Sequence, residues 1–291
     1  MKFSYYSNLY LEFGKKEWKY STYCKNLGIV KNRLFIFNEK DINQITSIDI
    51  KNFIISLNDV GNKSIKHYLS SLSQIFELAI LNKEISQNPL NYIKKISYKS
   101  PKIVPFNNYE VNKILNNLDD KNENFKIFLQ VGFFTGMRTG EILALKISQI
   151  DLQNKMININ STRSRFGETS TKTEFSIRQI PIINSLLPYL DNFIKSHKNN
   201  FYLLEKNSRP FRDTSEFSKE FKILLKKLNI PYRRLYNMRH SYATNLLYKN
   251  LVFPLELSQL LGHSTTKMVY DVYVNYVKNR FENFNFGMNI Y

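Results

Sequence analysis

At 291 residues, 43% hydrophobic and 14% aromatic, the chain has apolar material for one large domain or two, and no apolar run near the ~20 residues of a membrane span. Its 42 Lys and Arg stand against 24 Asp and Glu, a net charge of +18 that points to a polyanionic partner, because cationic surface gains affinity by releasing counterions from nucleic acid. The single Cys24 excludes an intrachain disulfide, His67, His197, His240 and His263 show no metal-ligand spacing, and there is no Gly-x4-Gly-Lys-Ser/Thr loop, so neither metal nor cofactor is expected.

The N-terminus, Met1-Lys2-Phe3-Ser4-Tyr5-Tyr6, lacks the apolar core of a signal peptide, which together with the lone cysteine predicts a cytoplasmic protein. The first hundred residues read as helices joined by polar loops. Ile48 to Leu57 has helical apolar spacing and stops at the turn cluster Asn58-Asp59-Val60-Gly61-Asn62. Ser64 opens a long segment in which Ile65, Tyr68, Leu69, Leu72, Ile75, Phe76, Leu78 and Ala79 recur at three and four residues, ending near Asn88-Pro89. Ile93 to Pro105 is basic, carries two prolines and has no strong period, and marks a linker. The division is a helical lobe over 1–97, a connector over 98–105 and a second lobe over 106–291. Both sides are basic: 16 Lys and Arg against 8 Asp and Glu up to residue 105, then 26 against 16.

The second lobe opens with a helix start at Asn107 to Val111 and a helix from about Glu123 to Phe134, which Gly136 ends in a turn before Arg138. Glu141 to Leu145 is again helical. Met156 to Asn160 and Phe175 to Ile182 alternate with period two, predicting a small antiparallel sheet. The polar stretch between them, Ser161 to Glu174, carries Lys172 near its end. From Leu186 onward the pattern returns to helices. The fold class is mainly α with a small antiparallel β-sheet.

Three segments carry chemistry in one order: Thr135-Gly136-Met137-Arg138-Thr139-Gly140-Glu141, then Tyr236-Asn237-Met238-Arg239-His240-Ser241-Tyr242, then Leu261-Gly262-His263 followed ten residues later by Tyr273. Breaking a phosphodiester without metal or water needs fixed positive charge on the phosphate, a nucleophile and a proton for the leaving oxygen. Guanidinium groups bind phosphate oxygens through paired donors and stay charged, so Arg138 and Arg239 suit the first task. A tyrosine phenol suits the second and a lysine on a hairpin, Lys172, the third. His263 is placed to bond the phosphate or move a proton. Tyr270 and Tyr276 each lie three residues from Tyr273 on nearly the same helical face, so spacing alone leaves them open as nucleophiles.

These residues resemble the tyrosine recombinase (phage integrase) family over nearly the whole chain. Arg138 with Glu141 is similar to the family's first arginine motif, Thr171-Lys172-Thr173 ahead of Arg178-Gln179-Ile180-Pro181-Ile182 to its hairpin lysine, Arg239-His240-Ser241-Tyr242-Ala243-Thr244 to its second arginine box, and His263 with Tyr273 to its last histidine and nucleophile. The resemblance implies a two-domain C-shaped clamp, with a helical core-binding domain and a catalytic domain, acting on double-stranded core sites in the nucleoid. It also implies a homotetramer exchanging strands through 3′-phosphotyrosyl intermediates and a Holliday junction, with a directionality factor as an accessory partner. Glu141 would support an arginine or the histidine. The sequence departs from the pattern at Tyr236, where the family has histidine; a phenol still donates to phosphate but carries no imidazolium charge.

With little room ahead of the first lobe for a separate arm-site domain, the expectation is a simple recombinase of the Xer-like or mobile-element branch, integrating or excising a prophage or genomic island. Rival readings are chromosome-dimer resolution of the Xer type, a non-catalytic DNA-binding accessory protein, and a type IB topoisomerase, which a plasmid relaxation assay separates.

Overall fold

The computed structural model describes residues 1–99, 103–170, 174–267 and 269–270. It divides into two compact units, Met1–Pro101 and Lys102–Tyr291.

The first unit is helical. Helices α1 (Phe3–Glu17), α2 (Tyr20–Asn32), α3 (Ser47–Ser56) and α4 (Asn62–Leu81) bury Phe3, Tyr6, Phe37, Phe53, Leu72, Ile75 and Phe76 in one core. Phe3 meets Phe37 at 5.6 Å and Phe76 at 6.3 Å between ring centres, so aromatic edges fill the space between α1 and α4. Thr46 and Asp49 cap α3 reciprocally, each side chain accepting the other's backbone N–H. The helix expected from Ser64 to Asn88 ends earlier, at Leu81: Lys83 takes a positive φ of 59°, and a short 3-10 turn, Pro89–Tyr92, follows.

The second unit is built around α6 (Glu123–Thr135), whose residues are buried on nearly every side, as befits a helix apolar all round. Preceding it is α5 (Asn108–Leu115); after it come α7 (Thr139–Ala144), α8 (Leu187–Ser196), α9 (Ser215–Lys227), α10 (Asn237–Tyr248) and α11 (Pro254–Leu261). Phe128 of α6 stacks on Phe217 of α9 at 4.4 Å, and Phe106 lies edge-on between Phe133 and Phe221.

Strands β1 (Ile150–Asp151), β2 (Met156–Ile159) and β5 (Arg178–Pro181) form an antiparallel sheet in the order β1-β2-β5. Its register pairs Ile157 with Ile180 and Ile159 with Arg178. Two findings differ from the sequence expectation of one small sheet. The polar stretch after β2 is itself a hairpin, β3 (Ser161–Ser164) and β4 (Gly167–Ser170), invisible to a hydrophobic-alternation reading because neither face is apolar. A second short hairpin, β6 (Glu205–Lys206) and β7 (Arg209–Pro210), turns through Asn207 and Ser208, both at positive φ as a two-residue turn of this hand requires. The expected strand start at Phe175 is instead a 3-10 turn, Glu174–Ser176. No helix among the described residues is long and apolar enough to cross a membrane.

Candidate active site

Two helix ends organise the site. Helix α6 stops at Gly136 and α11 at Gly262, both left-handed with φ of 63° and 64°. That conformation costs glycine nothing and other residues a clash with their own carbonyl. A Cβ at Gly136 would lie 2.4 Å from Tyr242 Cδ1, and one at Gly262 3.0 Å from Arg178 Nη1 and from the Phe175 carbonyl. Each end exposes backbone carbonyls that no helical N–H reaches, at the negative pole of the helix dipole.

Arginines fill these carbonyls. Arg239, on α10 and 1% exposed, donates from Nη1 to the Gly136 carbonyl at 2.9 Å and from Nη2 to the Leu261 carbonyl. Arg138, just ahead of α7, donates from Nη2 to the Gly262 carbonyl at 3.0 Å. Arg178, on β5, donates from Nε to the Leu260 carbonyl at 2.7 Å. Three consecutive carbonyls at the end of α11 thus take one guanidinium each. A deeply buried arginine is tolerable here because two helix ends stand in for a carboxylate. Burial, aided by nearby Arg138, lowers Arg239 to about 10, so it remains charged at neutral pH, and its Nε has no partner among the described residues.

His263 follows the α11 end directly. Its Nε2 is 2.9 Å from Arg239 Nη2. An arginine can only donate, so Nε2 accepts and the proton of the neutral ring sits on Nδ1. Burial first, then the charges of Arg239, Arg138 and Arg178, hold this histidine down to about 4. Nδ1 is buried and without a partner among the described residues. His240 is likewise pulled to about 4, by burial and then by Arg239, and its ring meets Tyr236 edge-on at 5.0 Å. Tyr236 sits at the start of α10 and is 40% exposed.

Glu141 is the one buried carboxylate in the group, 2% exposed on α7. Oε1 accepts from Arg138 Nη1 at 2.7 Å and Arg178 Nη1 at 3.1 Å; Oε2 accepts from Arg178 Nη2 at 2.9 Å and from the Arg138 backbone N–H at 2.8 Å. Burial acts to raise its pKa, and the bonds and charge of Arg178, then those of Arg138, more than reverse this, so it stays ionised below its ordinary range.

The structure therefore brings Arg138, Glu141, Arg239 and His263 together, with Tyr236 beside them. Lys172 and Tyr273 lie outside the described residues, as does Tyr276; Tyr270 is described and 52% exposed. Strand β4 ends at Ser170, two residues before Lys172, and its hairpin is tied down by Glu168, which accepts from Arg163 Nη2 at 2.9 Å and from the Tyr202 hydroxyl at 2.7 Å. Arg178 was not singled out from the sequence. A signal existed: it lies two residues before Ile180, hence on that strand's core-facing side, where a charge demands a partner.

Comparison with known proteins gives the family. Residues 106–280 match the phage integrase family and residues 2–58 its N-terminal SAM-like domain. The chain is 28% identical over 261 residues to the ICEBs1 integrase of Bacillus subtilis (strain 168), covering 84% of this chain and 70% of that one. Its fold is similar to the Tn1549 transposon integrase in complex with circular intermediate DNA, at a TM-score of 0.80 and 19% identity over 96% of this chain and 99% of that one. It is also similar to a lambda integrase tetramer bound to a Holliday junction, at a TM-score of 0.73 and 18% identity over 90% and 77% of the two chains. With a catalytic-domain match spanning well over half its length, the chain belongs to the phage integrase family of tyrosine recombinases.

Proposed function

We propose that this protein integrates and excises a mobile DNA element by site-specific recombination, cutting and rejoining strands through a tyrosine. The observation that carries the reading is the gathering of Arg138, Arg239 and His263 at the end of α11. Among the residues of this cluster, three guanidiniums face one carboxylate, Glu141, and the histidine is neutral, leaving two positive charges in a largely buried place. Such fixed charge is worth most where negative charge develops, on the phosphorane-like transition state.

In this reading the Tyr273 oxygen bonds to phosphorus as its phenol releases its proton to solvent water, and the bond to the 5′ oxygen breaks. Lys172 gives that oxygen its proton. Arg138, Arg239, Tyr236 and His263 hold the phosphate oxygens, and Glu141 fixes Arg138. Reversal, with the 5′ hydroxyl of another strand attacking the phosphotyrosyl bond, rejoins DNA without an external energy source. The printed descriptions of the similar integrases, bound to a circular intermediate and to a Holliday junction as a tetramer, support duplex core sites as partner and a tetramer as the working assembly. A directionality factor would be the accessory partner. Such work on the chromosome places the protein in the cytoplasm, at the nucleoid.

The test is covalent trapping. Nicked duplexes from the DNA flanking the gene are incubated with wild type and Tyr273→Phe and resolved on a denaturing gel. An adduct with wild type alone is expected. Adducts with both would move the nucleophile to Tyr270 or Tyr276, and none, on DNA the protein binds with sequence preference, would favour a non-catalytic DNA-binding role. In the same assay Lys172→Ala should fail on ordinary DNA and recover where the leaving group is a 5′ thiolate that needs no proton; equal loss on both would remove the acid role.

A further inference from the structure

We infer that Arg178 is a positioning residue for strand cleavage: it holds Glu141 and the α11 end in the one arrangement that leaves Arg138 and His263 open to a phosphate. The inference rests on the recombinase reading above.

Arg178 has little capacity left for substrate. Four of its five N–H donors are taken, by both Glu141 oxygens, the Leu260 carbonyl and the Ser176 carbonyl at 3.1 Å. It acts through what it touches, in two ways. First, it supplies Glu141 with a second, nearly buried cation. Glu141 alone with Arg138 would claim that guanidinium's charge for itself, whereas a carboxylate already bridged by Arg178 leaves Arg138, still about a third exposed, a positive group rather than half of a closed pair. Second, Arg178 lies against the turn that presents His263. Its Nη1 and Cδ sit 3.0 and 3.1 Å from where a Cβ of Gly262 would be, and its Nε holds the carbonyl two residues earlier. Lysine matches the charge but not this geometry, since one ammonium cannot span both carboxylate oxygens and a carbonyl on the opposite side.

The experiment compares wild type, Arg178→Met, Arg178→Lys and the double variant Glu141→Gln/Arg178→Met. Each is read for adduct rate on the nicked duplex, for DNA affinity and for amide hydrogen exchange. Arg178→Met should slow adduct formation on the order of a hundredfold, the scale of losing one fixed donor in a buried anion site, with DNA affinity changed less than about threefold. The double variant should recover roughly tenfold over Arg178→Met, because removing the carboxylate frees the Arg138 charge that it would otherwise claim. Arg178→Lys should lose about tenfold. The amides of Gly262 and His263, which bond the Gln259 and Ser258 carbonyls at 2.9 Å, should exchange faster in both single variants.

Adduct rates within threefold of wild type for Arg178→Met, or a double variant no faster than the single, overturn the inference. Should Arg178→Met not fold, Arg178→Lys decides on the same terms: wild-type rate and wild-type exchange overturn it. A wild type that binds DNA but forms no adduct counts against the recombinase reading instead, and the exchange of the two amides still judges whether Arg178 holds the turn.

Discussion

The two histidines of the site are kept neutral by the same pair of causes, burial first and guanidinium charge second. Burial and then Arg239 act on His240, burial and then Arg239, Arg138 and Arg178 on His263, and both are drawn down to about 4. Unfolded, each would titrate near 6.5. Between those values the unfolded chain binds more protons than the folded one, so stability is full above about pH 6.5 and is lost as pH falls toward 4, by up to ~1.4 kcal/mol per pH unit for each histidine. Glu141, held low, adds its own loss only below its ordinary value of 4.5. Thermal melts from pH 7 to 5 should show the fall, and His240→Asn should flatten it; an unchanged slope would mean that His240 is not held neutral by the fold. The same neutrality makes His263 a hydrogen-bond donor at physiological pH rather than a cation, a distinction that sequence cannot make because it depends on which ring nitrogen Arg239 occupies.

The elements that build the site are short, and their ends matter more than their lengths. Gly262 has two constraints at once, a φ of 64° and contact with Arg178 and the Phe175 carbonyl, whereas Gly167 has only the first, with φ 100° and open space around it. Gly262→Ala should therefore cost more than the ~1–2 kcal/mol of left-handed strain alone, and Gly167→Ala no more than that. Denaturant unfolding of the pair checks the difference, and equal losses would show that the Arg178 contact is soft. At this scale the sequence was readable wherever a face was apolar or a cap was spelled out: α3, α6 and β2 start and stop within a residue or two of expectation. It was not readable at β3–β4, where Ser, Thr, Arg and Glu alternate without an apolar side, nor at β6–β7, where each strand has two residues. Arg138, Arg239 and His263 stood out because each sits in a compact local motif. Arg178 did not, because its meaning lies in Glu141, 37 residues earlier, and in the end of α11, 82 residues later.

Over the whole molecule the charge excess is shared, +8 up to residue 105 and +10 beyond it by the counts given above. Each unit has its own hydrophobic core, so each offers a cationic surface on a stable support. If both meet the DNA backbone, the full chain should lose affinity with salt more steeply than residues 106–291 alone, by nearly one unit of log–log slope for each further phosphate neutralised. Binding titrations between about 50 and 200 mM salt, the range in which such contacts are commonly resolved, measure it. Coincident slopes would confine the phosphate contacts to the second unit.

The carbonyls of Leu260, Leu261 and Gly262 belong to the main chain, so half of every arginine contact at the end of α11 is written in no side chain. Point substitution can delete a guanidinium but cannot delete its acceptor. A saturation library across this region should thus divide sharply: Arg138, Arg178 and Arg239 intolerant, Leu260 and Leu261 limited only by their packing and Gly262 by its left-handed backbone as well, and a one-residue insertion within α11 as damaging as any loss of arginine, because it turns all three carbonyls away together.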